Sequence, residues 1–307
     1  MPEISLQDAG FCPHGNYPNQ CDACRFEYLH EVKEQAQNNC EKTIEEFGLK
    51  NSPTFAQAYE KMKNMNHGPY HQEGGPDVHV SLVLWEMDKL IGQEEKNLTD
   101  EEKKILRLSA LLHDIGKPES SFVDLPTKKH MELFESSKTM LSPGALDKAQ
   151  KIRTEILDSM MPGKRSKPKE MDLVRTPEFQ NKVEEMLQNE DAEVKRAFVP
   201  RFFDHETFSA NLLDKITQEI DLKLTPGQIE TLKKIIGNHM ALYADTTGLE
   251  KFIAKALTKD GQFDENTWKM LKMQVRSDSR GTYSYGEPNR DAGVDKLIEG
   301  IEKTKIK

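Results

Sequence analysis

No stretch of the chain approaches the roughly 20 consecutive apolar residues needed to cross a bilayer. Nor does the N-terminus join a basic start to a long apolar run, so the sequence points to a cytoplasmic protein with no membrane partner. Bulk positive charge is also missing. Against 43 Lys and Arg stand 52 Asp and Glu, a formal net charge of −9, which argues against a protein that grips nucleic acid through overall charge and leaves only a local basic groove. Cysteine is scarce, and three of the four fall in the first 24 residues, which suits a local metal clip better than a disulfide framework. There is no Walker A loop, dinucleotide-binding glycine motif or nucleophile elbow, and no internal repeat or low-complexity segment. Regular β alternation is nearly absent, which leaves an all-α bundle as the expected fold.

The 307 residues suffice for one large domain or two smaller ones, with an apolar fraction of 36% for the core and 31% charged residues for the surface. The chain centres on Leu108–Pro118, LSALLHDIGKP. Thr99 and Glu102 form a capping box that starts a helix through Ile105, Leu106, Leu108, Leu111 and Leu112. It runs into adjacent His113 and Asp114, an imidazole and a carboxylate that can share one metal ion, or bridge two through the carboxylate. A buried Asp is costly unless paired with a cation or well hydrogen-bonded. Gly116 lets the backbone turn, and Lys117 could then reach an anionic group held by the metal.

Four other positions repeat this arrangement. His79 falls in the first turn of a helix carrying Val80, Val83, Leu84, Met87 and Ile91, and His205 opens one carrying Phe208, Leu212, Leu213, Ile216 and Ile220. His239 ends a helix that Thr225, Pro226 and Gln228 begin. Asp278 follows Leu271 by seven residues and Val275 by three, so it shares their buried face. Before the first helix, expected from residue 24 to 47, Cys12, His14, Cys21 and Cys24 read either as a structural zinc loop or as chance cysteines in an unstructured tail. Cys40 reads as a thiol with no partner, and His30, His67 and His130 as ordinary packing or surface histidines. Residues 119–197 form an insertion with helices expected near 143–160 and 177–190. Between them Lys164, Arg165, Lys167 and Lys169 are linker lysines and arginine or contacts for a polyanion. The last residues, 291–307, carry a short amphipathic helix expected on the outside.

His79, His113-Asp114, His205, His239 and Asp278 give the order H…HD…H…H…D. This order resembles the HD-domain superfamily of metal-dependent phosphohydrolases, an α-helical fold. HQEGGPDVHVSL is similar to the HPEGDVWxHTL run of the HD domain in bacterial tRNA nucleotidyltransferases, and LSALLHDIGKP, FFDHETFSANLL and VRSDSRG are similar to other segments there. The resemblance covers about residues 68–118 and 198–285, within an expected core of 49–118 and 198–290. It implies that His79, His113, Asp114 and Asp278 bind a first ion, and that His205 and His239 bind a second beside a bridging Asp114. Mixed imidazole and carboxylate ligation suits Mn²⁺, Fe²⁺, Co²⁺, Ni²⁺ or Zn²⁺. Such an ion polarises a phosphoryl oxygen and lowers the pKa of its bound water from about 15.7 to about 7.

The resulting expectation is hydrolysis of a phosphomonoester or phosphodiester, in a nucleotide or an RNA end. Asp114, Lys117 and Arg280 would serve catalysis, Lys117 and Arg280 by stabilising charge. His71 and Glu73 could orient His79, cap the loop or contact substrate, and Arg276 and Arg280 are substrate contacts or surface salt-bridge residues. Two other readings stand beside this one: an HD-fold di-iron oxygenase, and a metal-stabilised module that binds RNA or protein without catalysis. The chain has no nucleotidyltransferase domain, so tRNA repair as a whole does not transfer.

Overall fold

Helix starts in this chain are written as caps. Thr99 Oγ1 accepts from Glu102 N while the Glu102 carboxylate accepts from Thr99 N, and Thr225 and Gln228 exchange the same pair of bonds. Ser52, Ser142, Thr176 and Asp191 cap other helices through their side chains. Pro53, Pro76, Pro143, Pro177 and Pro226 occupy first helical positions, where a missing N–H costs nothing.

The computed structural model describes residues 25–68, 71–136, 140–161, 166–242, 265–283, 294–296 and 298–299. Among them it is mostly helical, with thirteen α-helices and two short strands. The helices are α1 (Arg25–Glu46), α2 (Pro53–Lys63), α3 (Pro76–Gln93), α4 (Asp100–Leu112), the single turn α5 (Lys117–Ser120), α6 (Lys128–Ser136), α7 (Pro143–Met160), α8 (Lys167–Val174), α9 (Pro177–Leu187), α10 (Ala192–Arg196), α11 (His205–Glu219), α12 (Pro226–Asn238) and α13 (Glu265–Gly281). The strands are β1 (Ser121–Asp124) and β2 (Val199–Phe202).

The chain divides into two compact units. The first takes in residues up to 65, 71–119 and from 204 onward. In it α3 packs on α1, α4 and α13, and α12 on α4, α11 and α13. Its core draws Val83, Leu84 and Met87 from α3, Leu106, Leu108 and Leu112 from α4, Leu213 and Ile216 from α11, Ile235 and Ile236 from α12, and Leu271 and Val275 from α13. Each such side chain removed from water contributes roughly 1.5 to 3 kcal/mol. Val294 and Ile298 belong to this core too, whereas Lys296 and Glu299 are exposed, so the described part of the expected C-terminal helix is amphipathic and packs by one face. Cys40 is fully buried beside Tyr59, Sγ to Oη 3.7 Å.

The second unit comprises residues 66–70 and Ser120–Phe203. The expected helix at 143–160 is α7 and the one at 177–190 is α9, which ends at Leu187. Three more helices, α6, α8 and α10, were not legible, and neither was the antiparallel pairing of β1 with β2, in register Phe122↔Arg201 and Val123↔Pro200. Strands of four residues are too short to show alternation, and the partners lie far apart in sequence. Phe122, Phe134, Ile152, Leu157, Phe179 and Val199 fill this unit's own core. Lys167 and Lys169 belong to α8, while Lys164 and Arg165 lie outside the described residues. So do Cys12, His14, Cys21 and Cys24, and with them the expected zinc loop.

Candidate metal centre

The six residues of the H…HD…H…H…D series meet in one buried place in the first unit. Local structure explains why each is there. His79 is the fourth residue of α3, directly above the Gly75-Pro76 start. His113 caps the C-terminus of α4 with αR backbone, and Asp114 follows it. His205 is the first residue of α11, reached through Asp204 at φ 61°, a left-handed conformation that Asp tolerates. His239 follows the last residue of α12, and Asp278 sits in the last turn of α13. All six are buried, His113 and His239 completely.

The Asp114 carboxylate divides between two groups of imidazoles. Oδ2 lies 3.4 Å from His113 Nε2 and 3.6 Å from His79 Nε2, whereas Oδ1 lies 3.2 Å from His205 Nε2 and 3.8 Å from His239 Nε2. Asp278 Oδ1 is 2.9 Å from His79 Nε2 and 3.7 Å from His113 Nε2. His205 Nε2 and His239 Nε2 are 3.2 Å apart. Two ligands each about 2.1 Å from one ion stand about 3.0 to 3.4 Å apart in octahedral or tetrahedral coordination. Most of these separations are within a few tenths of an ångström of that range.

Ring protonation sharpens the fit. His113 Nδ1 donates to Ala110 O at 3.0 Å and His239 Nδ1 to Ile236 O at 2.7 Å, since a carbonyl can only accept. That fixes a proton on each Nδ1 and turns each Nε2 toward the cluster. Burial, then the neighbouring His113 and His205, push the His239 pKa down to about 3, so this ring is neutral and its Nε2 carries a lone pair. His113 Nε2 is buried with no hydrogen-bond partner among the described residues. A buried ring nitrogen without a hydrogen-bond partner is expensive, and an ion held there would relieve it. The buried groups His79–His113–Asp114, His113–His239–Asp278 and Asp114–His205–His239 could each hold a metal ion.

The carboxylates are anionic. Burial opposes ionisation of Asp114, but His113 and Lys117 hold it well below the usual carboxylate range. For Asp278 burial is likewise outweighed, by the His79 hydrogen bond and the surrounding imidazoles. Burial would depress the His79 pKa, yet its bonds to Asp278 and Glu73 raise it to about 9.

The other candidates take distinct places. Lys117, expected to reach an anionic group held by the metal, is buried with Nζ 2.6 Å from Asp114 Oδ2, an ion pair at the edge of the cluster. Glu73 has a fully buried side chain whose Oε1 is 3.1 Å from His79 Nδ1. His71 bonds the same oxygen at 2.7 Å and lies edge-on to the His79 ring. Arg276 bonds to Asp295, with Nε at 3.0 Å and Nη2 at 2.8 Å from one carboxylate oxygen, a part-buried salt bridge. Arg280 is half-buried on the last turn of α13, two residues beyond Asp278. His130 accepts from Thr127, and the His67 ring meets Phe202 edge-on.

Two contributors had no signal as site residues. Ser209, on α11, accepts from Gly116 N at 2.8 Å and so ties the turn after Asp114 to the helix that His205 begins. Tyr283 donates its backbone N–H to Glu73 Oε2 at 3.0 Å. Compared with protein-family models, curated proteins and solved structures, the chain finds no match.

Proposed function

We propose that the protein is a metal-dependent phosphohydrolase of the HD type, acting on a phosphomonoester or phosphodiester of a nucleotide or an RNA end. The observation that carries this reading is the division of Asp114, one oxygen toward His79 and His113 and the other toward His205 and His239. A single carboxylate flanked in this way by four imidazoles suits a pair of divalent ions of the Mn, Fe, Co, Ni or Zn type. His79, His113, Asp114 and Asp278 would hold the first, and His205, His239 and the other Asp114 oxygen the second. Ions so held would polarise a phosphoryl oxygen and supply a nucleophilic water near neutral pH. Lys117, whose Nζ lies 2.6 Å from Asp114 Oδ2, would stabilise negative charge developing on the phosphoryl oxygens. Burial of the whole set strengthens each of these interactions by excluding water. The motif resemblance around His79, His113-Asp114, His205 and Asp278 favours phosphate esters as the substrate class.

The test is phosphate release from a panel of nucleotides and RNA-end phosphate esters with Mn²⁺, Ni²⁺, Co²⁺ and Mg²⁺. Wild type should turn over at least one, and Asp114→Ala should lose both turnover and tightly held metal while its circular dichroism stays helical. A wild type that holds metal but cleaves none of the esters overturns the hydrolase reading. Iron-dependent O₂ consumption in that case would favour the oxygenase reading.

A further inference from the structure

Glu73 is the buried acidic group next to the six-residue cluster that the hydrolytic reading does not use. Its carboxylate is spent entirely on positioning bonds. Oε1 lies 3.1 Å from His79 Nδ1, which also faces the Gly281 carbonyl at 3.4 Å, and 2.7 Å from His71 Nδ1, and Oε2 accepts from Tyr283 N at 3.0 Å. The peptide next to it closes a second bond to the same place, Gln72 N to Tyr283 O at 2.6 Å. From the other side Lys33 Nζ donates to the Glu73 carbonyl at 2.9 Å. Tyr283 lies two residues beyond the end of α13, whose last turn carries Asp278. Glu73 therefore joins the ring of one ligand candidate to the helix of another, and His79 and Asp278 are the pair that meet most closely, at 2.9 Å.

We propose that Glu73 is the positioning carboxylate of the metal centre: it keeps the proton of His79 on Nδ1, so that Nε2 is offered to the ion, and holds α3 and α13 at the spacing that lets His79 and Asp278 share it. This rests on the metal centre of the preceding reading. The physical reason is general. An imidazole that donates its outer N–H to a carboxylate is fixed in tautomer and ring angle and is a more basic ligand, and loss of such a partner costs roughly 10- to 100-fold in metal affinity. In this proposal Glu73 acts through His79, its two oxygens facing the His79 and His71 rings and the Tyr283 N–H. His71 is the second imidazole on Oε1, with 16% of its side chain exposed. It supports Glu73 from the rim.

The test uses the full chain with Zn²⁺ as the probe. Zn²⁺ affinity is measured by competition with a chelating dye for wild type, Glu73→Gln and Glu73→Ala, with thermal unfolding of each metal-free protein alongside. Long-range ¹H–¹⁵N spectra of the zinc-loaded proteins read the protonated nitrogen of His79. Wild type should show His79 protonated on Nδ1. Glu73→Ala should bind Zn²⁺ roughly 10- to 100-fold more weakly with a disturbed His79 signal, and Glu73→Gln, which keeps one acceptor oxygen, should fall between. A purely structural Glu73 would lower the unfolding temperature and leave the zinc affinity and His79 tautomer of the folded protein unchanged, which would overturn the proposal. Wild type that takes up no zinc would overturn the metal centre itself, a failure separable from the first.

Discussion

At the scale of single residues, the centre works by assigning protons. His113 and His239 hold theirs on Nδ1 through backbone carbonyls, and His79 faces Glu73. His79 differs in that its Nε2 also meets Asp278, and its pKa is raised to about 9. In the metal-free protein the doubly protonated ring therefore adds stability that is complete below pH 6.5 and is lost as pH rises through about 9. Metal binding needs the opposite state, with Nε2 deprotonated. Apparent metal affinity should consequently climb between pH 6.5 and 9, approaching tenfold per unit where this one proton is displaced. Titration calorimetry at pH 7.5 in buffers of different ionisation enthalpy should register a proton released per ion bound. Affinity independent of pH across that window would show that His79 Nε2 is not a ligand. At Asp114 the isosteric change to Asn removes the shared anion while keeping its shape. Asp114→Asn should retain helical content, lose most of its metal, and lose turnover at least as far as Asp114→Ala loses it.

At the scale of elements, two glycines set how closely helices approach, and neither needs a left-handed φ. A Cβ on Gly281 would stand 2.8 Å from Val83 N and 3.0 Å from its Cα, so α13 rests on the backbone of α3. A Cβ on Gly116 would stand 2.4 Å from Ser209 N and 2.7 Å from His205 O. Backbone cannot yield as a flexible side chain can. Gly281→Ala and Gly116→Ala should each destabilise by about 1 to 3 kcal/mol, lowering the unfolding temperature by several degrees, and both should weaken metal binding because they displace Asp278 or His205. Gly92, inside α3, is the control. A Cβ there meets nothing within 4 Å, and Gly92→Ala should stabilise by up to about 1 kcal/mol through helix propensity. Differential scanning calorimetry of the three variants separates the outcomes, and equal effects would refute the close-packing account.

These elements also mark what the sequence could show. Capping residues and 3.6-residue periodicity located α3, α4, α11 and α12 and placed a histidine at an end of each, because those signals are local. Helix α13 was legible as far as Asp278 for the same reason. The Glu73–Tyr283 bond spans 210 positions in the chain, and Arg276–Asp295 answers to charges whose proximity no window reveals. The β1–β2 pairing is hidden in the same way, and its Pro200 argues locally against a strand.

At the scale of the whole molecule, all six clustered ligand candidates, with Glu73 and Lys117, fall in the unit formed by residues up to 65, 71–119 and from 204 onward. The unit from Ser120 to Phe203 has a core of its own. Bound metal stabilises only the state that contains the assembled site, by RT ln(1 + [L]/Kd), about 2.7 kcal/mol when the free ion stands at about 100 times its Kd. That increment should therefore appear where the ligands are. Amide hydrogen exchange with and without Zn²⁺ or Mn²⁺ should show slowed exchange in α3, α4, α11, α12 and α13, with α7 and α9 unchanged, and a chelator should reverse it. Protection confined to α7 and α9 would place the ion elsewhere and remove the physical basis for the centre. Protection shared equally by both units would mean that they unfold as one, and the Gly281→Ala loss should then appear in α7 and α9 as well.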